Sequence, residues 1–372
     1  MSAKRVFFHV QHLLGIGHLK RAATLCRALA AAGFEVTLAS GGQPVEGLSL
    51  KGLNFVQLPP VSAADVSFKL LLDENHQPIS ELWKRKRKAA LLEAWRAARA
   101  QVLVIELFPF GRRQLRFELL PLLEQAGEAL VLCSVRDLLQ SRPSREAEAL
   151  ELLERHFDHV LVHGDPRIAL FEHSFGAAAR IAGRLHYTGY VVDEPPQAIG
   201  EAGRGEVLVS AGGGAVGRRL LEAAIRARPL TRLRGLTWRV LAGVNADYLE
   251  ELQRLAPPGI VVEQSRQDFT TLLRNCELSI SQAGYNTVVE TLQAGARAVV
   301  VPFSDGNEAE QGLRARLLAE RGLLERVEAS GLAPEALAAA VERAAGRPRP
   351  AAHDIDLDGA RRSAELVRQW TS

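Results

Sequence analysis

The sequence predicts an α/β protein built from two doubly wound domains, and three observations carry that expectation. Short apolar runs alternate with longer amphipathic ones, the pattern of βαβ units on a parallel sheet. The pattern breaks near Gly183–Gly200, where Tyr187-Thr188-Gly189-Tyr190 and Pro195-Pro196 interrupt all periodicity, and then restarts. At 372 residues the chain is also long for a single hydrophobic core. In the first half the strand-like runs are Arg5–Val10, Glu35–Ala39, Val102–Glu106, Ala129–Val135 and His159–Val162, with a helix predicted from His18 to Ala32. In the second half they are Glu206–Val209, Thr237–Ala242, Ile260–Val262, Leu278–Ser281 and Ala298–Val301, with helices near Arg218–Arg228 and through Leu292. A last amphipathic segment, Gly359–Trp370, follows the Pro-rich Arg347–Pro350 and is expected to strap back across the first domain. The expected division is 1–185, 197–346, and a tail with its helix at 347–372.

Composition narrows the function. A net charge of +3 is small beside 46 basic and 43 acidic side chains, so no polyelectrolyte surface for nucleic acid is expected. Cys26, Cys133 and Cys276 are far apart and lack metal-ligand spacing, which fits core thiols in a reducing compartment. Val6-Phe7-Phe8 is too short for a signal-peptide core and no run approaches membrane-spanning length, so a cytoplasmic protein is expected.

The richest stretch is Ser281-Gln-Ala-Gly-Tyr-Asn-Thr-Val-Val-Glu290. It follows the strand-like Leu278–Ile280, so Gly284, Asn286 and Thr287 fall at a helix start, where backbone N–H groups and the helix dipole attract phosphate. Ser281 adds a hydroxyl, and Glu290 lies one turn further in, at ribose distance. A second loop, containing Gly212, Gly213 and Gly214, follows Val207-Leu208-Val209 and precedes another helix. Alone it is a tight turn that any α/β domain uses, whereas two such loops in one half point to a diphosphate. Neither is a dinucleotide fingerprint nor a Walker loop. Beyond Val301-Pro302-Phe303, Asn307, Glu310 and Gln311 suit sugar hydroxyls, although a polar helix start would read the same way.

Ligands of open α/β sheets sit beyond the carboxyl ends of the strands. In the first half those ends carry Gly15, Gly17 and His18, then Glu106, then Arg136 and Asp137, all expected on the acceptor side and facing the second domain across a cleft. The glycines let a ligand approach the backbone. His18, opening a helix, should stay neutral and act as a general base, with capping or packing as the competing role. Asp354, Asp356 and Asp358 read as a helix lead-in rather than a metal motif, and no metal or other cofactor is expected. Lys84-Arg85-Lys86-Arg87-Lys88 beside Trp83 suits either a solvated helix face or a peripheral contact with anionic lipid. Phe108-Pro109-Phe110-Gly111-Arg112-Arg113 either lines an acceptor pocket or packs over the sheet.

These residues resemble the GT-B glycosyltransferases that carry a family 28 C-terminal domain. The likeness rests on Ser281–Glu290 followed by Ala294-Gly295, Val301-Pro302-Phe303 and Glu310-Gln311, and more loosely on Leu13-Leu14-Gly15-Ile16-Gly17-His18. It implies two Rossmann-like domains facing a central cleft and a nucleotide-sugar donor, UDP-linked and of the UDP-GlcNAc type. Gly212–Gly214, Gly284 and Thr287 would hold the donor diphosphate, Glu290 the ribose, Gln311 the sugar, and Ser265 with Arg266 the uracil. It also implies inversion at the anomeric carbon. The run Gly15–Arg21 is similar to the start of a UDP-sugar hydrolase, so hydrolysis or 2-epimerisation stands as an alternative, with non-catalytic nucleotide-sugar binding as another. Glu106-Leu-Phe-Pro-Phe-Gly-Arg-Arg113 is similar to uncharacterised predicted glycosyltransferases.

Overall fold

The computed structural model describes residues 3–65, 68–140, 143–195, 200–211, 217–243, 246–303, 309–350 and 355–372. The chain forms two compact units, Met1–Val192 with Ile355–Ser372, and Asp193–Asp354. Each is organised on a parallel sheet.

In the first unit, β1 (Arg5–Val10), α1 (Gly17–Ala31), β2 (Glu35–Ser40) and β3 (Asn54–Gln57) are followed by a small antiparallel ribbon, β4 (Ser62–Ala63) with β5 (Leu71–Leu72). Then come α2 (Glu81–Ala98), β6 (Val102–Glu106), α3 (Arg116–Gln125), β7 (Leu130–Arg136), α4 (Glu146–His156), β8 (His159–His163) and β9 (Leu185–Tyr187). The sheet runs β3-β2-β1-β6-β7-β8-β9. Because side chains alternate across a strand, Phe7 on β1 packs with Trp95 of α2 and Leu119 of α3, while Phe8 packs with Leu25 of α1.

In the second unit, β10 (Glu206–Ser210), α5 (Arg218–Ala227), β11 (Thr237–Ala242), α6 (Leu249–Leu255), β12 (Ile260–Gln264), α7 (Phe269–Asn275), β13 (Leu278–Ser281), α8 (Tyr285–Ala294), β14 (Ala298–Val300), α9 (Glu310–Glu320), β15 (Glu325–Arg326) and α10 (Pro334–Gly346) form the order β12-β11-β10-β13-β14-β15. Leu221 of α5 and Val341 of α10 cover one face; Leu272 and Leu273 of α7 cover the other.

In both sheets the strand order reverses at one point, between β1 and β6 in the first and between β10 and β13 in the second. Such switch points leave a crevice beyond the strand ends, where ligands of doubly wound sheets bind.

The final helix α11 (Gly359–Thr371) belongs to the first unit. Its Ala364, Leu366 and Val367 join the α1 face of the core, Trp370 stacks on His159 with ring centroids 3.9 Å apart, and Arg368 donates to the Ala32 carbonyl. Burial of side chains of this size contributes about 1.5–3 kcal/mol each. The boundary expected at 185 falls at the start of β9, which completes the first sheet. The chain stays with that unit through Tyr190, whose N–H bonds the Asp356 carbonyl.

Candidate functional site

The first unit's switch point is built from buried polar side chains. Val10 ends β1, and the chain runs through Gly15 to enter α1 at Gly17, placing His18 at its second position. Glu106 ends the neighbouring strand β6, and Ser134 sits directly opposite it on β7, so both side chains lie on the face that α1 covers. His18 Nδ1 lies 3.0 Å from Glu106 Oε1. Arg21, three residues further along α1, donates to the same oxygen, and Ser134 donates to Glu106 Oε2.

The Glu106 side chain is fully buried. Burial alone would raise its pKa, but the Arg21 charge and the bonds from His18 and Ser134 prevail and hold the carboxyl well below the usual range. Burial drives His18 down to about 3; the Glu106 hydrogen bond opposes this, while Arg112 and Arg21 reinforce it. The ring is therefore neutral at pH 7, and it keeps 15% of its side-chain surface exposed. With Nδ1 engaged, Nε2 is the nitrogen left to take a proton from a hydroxyl, and Glu106 is placed to stabilise the imidazolium that results.

Several expectations change here. Glu106 is not an acceptor contact, because its carboxylate is sealed beneath α1 and spent on His18, Arg21 and Ser134. Asp137 is also withdrawn: it is fully buried, accepts the Leu138 N–H and faces the Tyr190 hydroxyl at 3.4 Å. Arg136 is half-buried and near Arg112, which burial and then the Arg136 charge push down to about 10. Gly15 and Gly17 stay at the rim of the loop, and an added Cβ at Gly15 meets nothing within 4 Å. The 108–113 loop packs over the sheet, with Phe108 buried and Phe110 set edge-on to Phe171 and Phe175.

The basic run on α2 does not form one lipid-facing surface. Helical spacing turns Trp83, Arg87 and Leu91 inward. Arg87 is fully buried, bonding Glu118 of α3 at 2.9 Å, Gln11 Oε1 at 2.8 Å and the Gly41 carbonyl at 2.9 Å. Lys84 pairs with Glu81 at 2.6 Å, Lys88 is half-buried, and Arg85 and Lys86 remain exposed.

The second unit's switch point is made mainly of backbone and hydroxyls. Ser281 ends β13 with 1% exposure. Gly284 is the N-cap of α8 in extended conformation, so the N–H groups of the first turn, Asn286 and Thr287 among them, stand at the head of the helix. Glu290 follows on the second turn and is half-buried. Gly212, Gly213 and Gly214 lie outside the described residues, as does Asn307. Ser265 is exposed just past β12, and its N–H bonds the Ala242 carbonyl. The Arg266 guanidinium is taken up by Asp268, at 2.8 and 2.7 Å, and by Glu263, so any base contact there falls to backbone rather than to that side chain. Gln311 Oε1 accepts the Phe303 N–H at 3.1 Å, tying the start of α9 to the chain three residues past β14. Glu310 is only 4% exposed because the start of α9 turns it inward, which removes it from direct sugar contact. Among the described residues, no group of three or more His, Cys, Asp or Glu is placed to hold a metal ion, and no helix is long and apolar enough to cross a membrane.

MurG of Acinetobacter baumannii shares this architecture with a TM-score of 0.62 at 17% identity, over 98% of this chain and 99% of that one. LpCGTa, solved in complex with UDP, does so with a TM-score of 0.62 at 13% identity over the whole of both chains. This is the GT-B fold of glycosyltransferases. Within it, residues 208–363 match the glycosyltransferase family 28 C-terminal domain, from β10 through the start of α11. The UDP-N-acetylglucosamine--N-acetylmuramyl-(pentapeptide) pyrophosphoryl-undecaprenol N-acetylglucosamine transferase of Phenylobacterium zucineum (strain HLK1) is 28% identical over 213 residues, which span 52% of this chain and 58% of that relative.

Sequence reasoning found the loops of this GT-B chain but missed the side chains behind them. Arg21 and Ser134 sit inside predicted elements, where polar residues read as incidental, and His163 stands one residue past the predicted strand His159–Val162. Arg314, buried on α9, lay outside every predicted element: it holds the turn before α8 by donating to the Ala283 carbonyl and lying over Tyr285. The available signal was a charged residue at an apolar helical position, as at Arg21 and Arg314.

Proposed function

We propose that this protein is a metal-independent, inverting glycosyltransferase that moves a sugar from a nucleotide diphosphate sugar, of the UDP class, to an acceptor hydroxyl. The observation that carries the reading is the neutral His18 ring held 3.0 Å from a sealed carboxylate at the first unit's switch point. In the proposed step, His18 Nε2 takes the proton of the acceptor hydroxyl while its oxygen forms the new bond to the anomeric carbon. The bond to the diphosphate breaks, and the departing oxygen keeps the electron pair. The head of α8 receives that charge through backbone N–H groups. Such groups supply positive potential without a metal ion. Glu106 is buried and committed, which leaves no carboxylate from this network to act as the nucleophile that a retaining double displacement needs. The same histidine would activate water equally well, so hydrolysis is the second reading.

Ligand-induced thermal stabilisation tests the donor class. Free UDP at one hundred times its dissociation constant should stabilise the fold by about 2.7 kcal/mol. GDP, CDP and dTDP should do less, and Glu290→Ala should shrink the UDP shift. The absence of any shift with all four would defeat the reading. With UDP-sugars supplied, product formed only when an acceptor is added, and unchanged by chelator, supports transfer; free sugar released at turnover rates without acceptor supports hydrolysis.

A further inference from the structure

Behind His18 and Glu106 runs a line of buried polar groups that the step above does not use. Ser134, fully buried on β7, has its Oγ 3.0 Å from His163 Nε2 at the end of β8. His163, also fully buried, has its Nδ1 2.9 Å from Thr188 Oγ1 just past β9. The line therefore crosses β6, β7, β8 and the end of β9 on a single face of the sheet, and it ends on the residue that holds the candidate base.

Ser134, His163 and Thr188 bring three protons to four contacts, so the order is set by which contact can least bear to stay open. Arg21 keeps Glu106 ionised, so Glu106 brings no proton and Ser134 must donate to Oε2. Ser134 has one proton and has then used it. The 3.0 Å contact to His163 must therefore be filled by Nε2–H. Burial lowers His163 to about 3, so its ring is neutral, Nδ1 is a bare acceptor, and Thr188 donates to it. This order leaves Thr188 without a proton for the Gly189 carbonyl at 2.9 Å; the opposite order fills that contact, turns Ser134 toward His163 and moves the unfilled contact to the ionised Glu106 carboxylate, where two facing oxygens cost more. At the other end His18 Nδ1 lies 3.0 Å from Glu106 Oε1 and 3.2 Å from Arg21 Nη2; Arg21 already donates to Glu106, whereas an unprotonated Nδ1 would face the carboxylate lone pair to lone pair, so the shorter contact decides and Nδ1 carries the proton.

We propose that Ser134 and His163 are positioning residues: with Thr188 they lock the orientation of Glu106, which fixes His18 as the Nδ1–H tautomer with its lone pair on Nε2. The inference deepens the base reading and rests on it for its kinetic consequence, but the tautomer itself can be observed without turnover.

The test is imidazole nitrogen NMR on the ligand-free full chain, with His18 assigned by comparison with His18→Ala. The expected spectrum shows His18 protonated at Nδ1 and His163 at Nε2. Ser134→Ala should convert His18 to a mixture of tautomers and lower kcat about tenfold while KM stays within about twofold. Thr188→Val, which keeps the shape and removes the hydroxyl, should act in the same direction, and Thr188→Ser should restore both readouts. If Ser134→Ala does not fold, the two Thr188 variants carry the test. A wild-type His18 protonated at Nε2, or tautomers and kcat unmoved by the variants, would overturn the proposal. Full transfer activity in His18→Ala would defeat the base reading alone, leaving the tautomer result to stand.

Discussion

The two switch points solve different problems with different materials. On the proposed reading a proton moves at the first, where the strand ends supply charged and hydroxylic side chains whose neighbours favour one arrangement of hydrogens. On the same reading an anion is held at the second, where the strand end supplies a helix head, a glycine at its cap and a few hydroxyls. All ten histidines but His353 fall in the first unit, and His353 lies outside the described residues. The contrast teaches that anion binding is available wherever a sheet strand turns into a helix, whereas general-base chemistry needs a tautomer fixed from behind. The first kind of site is legible from spacing; the second depends on what lies beneath it.

The sharpest way to break this comparison is to remove the base. His18→Ala should lower the rate of transfer by about a thousandfold, within the 10²–10⁴ expected of a general base. The UDP-induced thermal shift should remain. Equal loss of UDP binding would show that the two sites are not separable in this way.

Acid sharpens the comparison further. Burial first of all pushes His9, His18 and His163 down to about 3 and His12 to about 4, while in the unfolded chain each titrates near 6.5. The unfolded state then binds more protons between those values, so stability is full above pH 6.5 and is lost as pH falls from there toward 4. Each ring contributes roughly 1 kcal/mol of loss between pH 7 and 5.5. Hydrogen exchange on the full chain should show protection falling in β1, α1, β7 and β8 over that range, with β10, β13 and α8 changing less. Equal loss in both units would contradict it.

The smallest effect concerns the cap of α8. Gly284 has φ −63° and open space where a Cβ would stand, so the fold does not require glycine there. Gly284→Ala should cost the fold at most about 1 kcal/mol, the range for a weak N-cap. It should weaken UDP about tenfold, because the Cβ intrudes where the diphosphate approaches. A normal UDP affinity would place the phosphates elsewhere.

The sequence by itself determined the alternation of strands and helices, the restart after the Gly183–Gly200 break, and the places where glycines and hydroxyls meet helix starts. These follow from local rules: side chains repeat every two residues in a strand and every 3.6 in a helix, and turns need residues of special backbone freedom. His18 and Ser281–Glu290 were visible on that basis. Only the tertiary structure decided that Glu106 bonds His18, Arg21 and Ser134, that Asp137 and Glu310 are buried, that Arg87 faces inward while Arg85 faces water, and that Ser134 and His163 stand behind Glu106. The parallel register sets Glu106 opposite Ser134 across 28 residues of chain, and His163 beside Ser134 across 29. No local pattern encodes such partners, because hydrogen bonding and burial depend on which strands become neighbours and not on how far apart their residues stand in the chain.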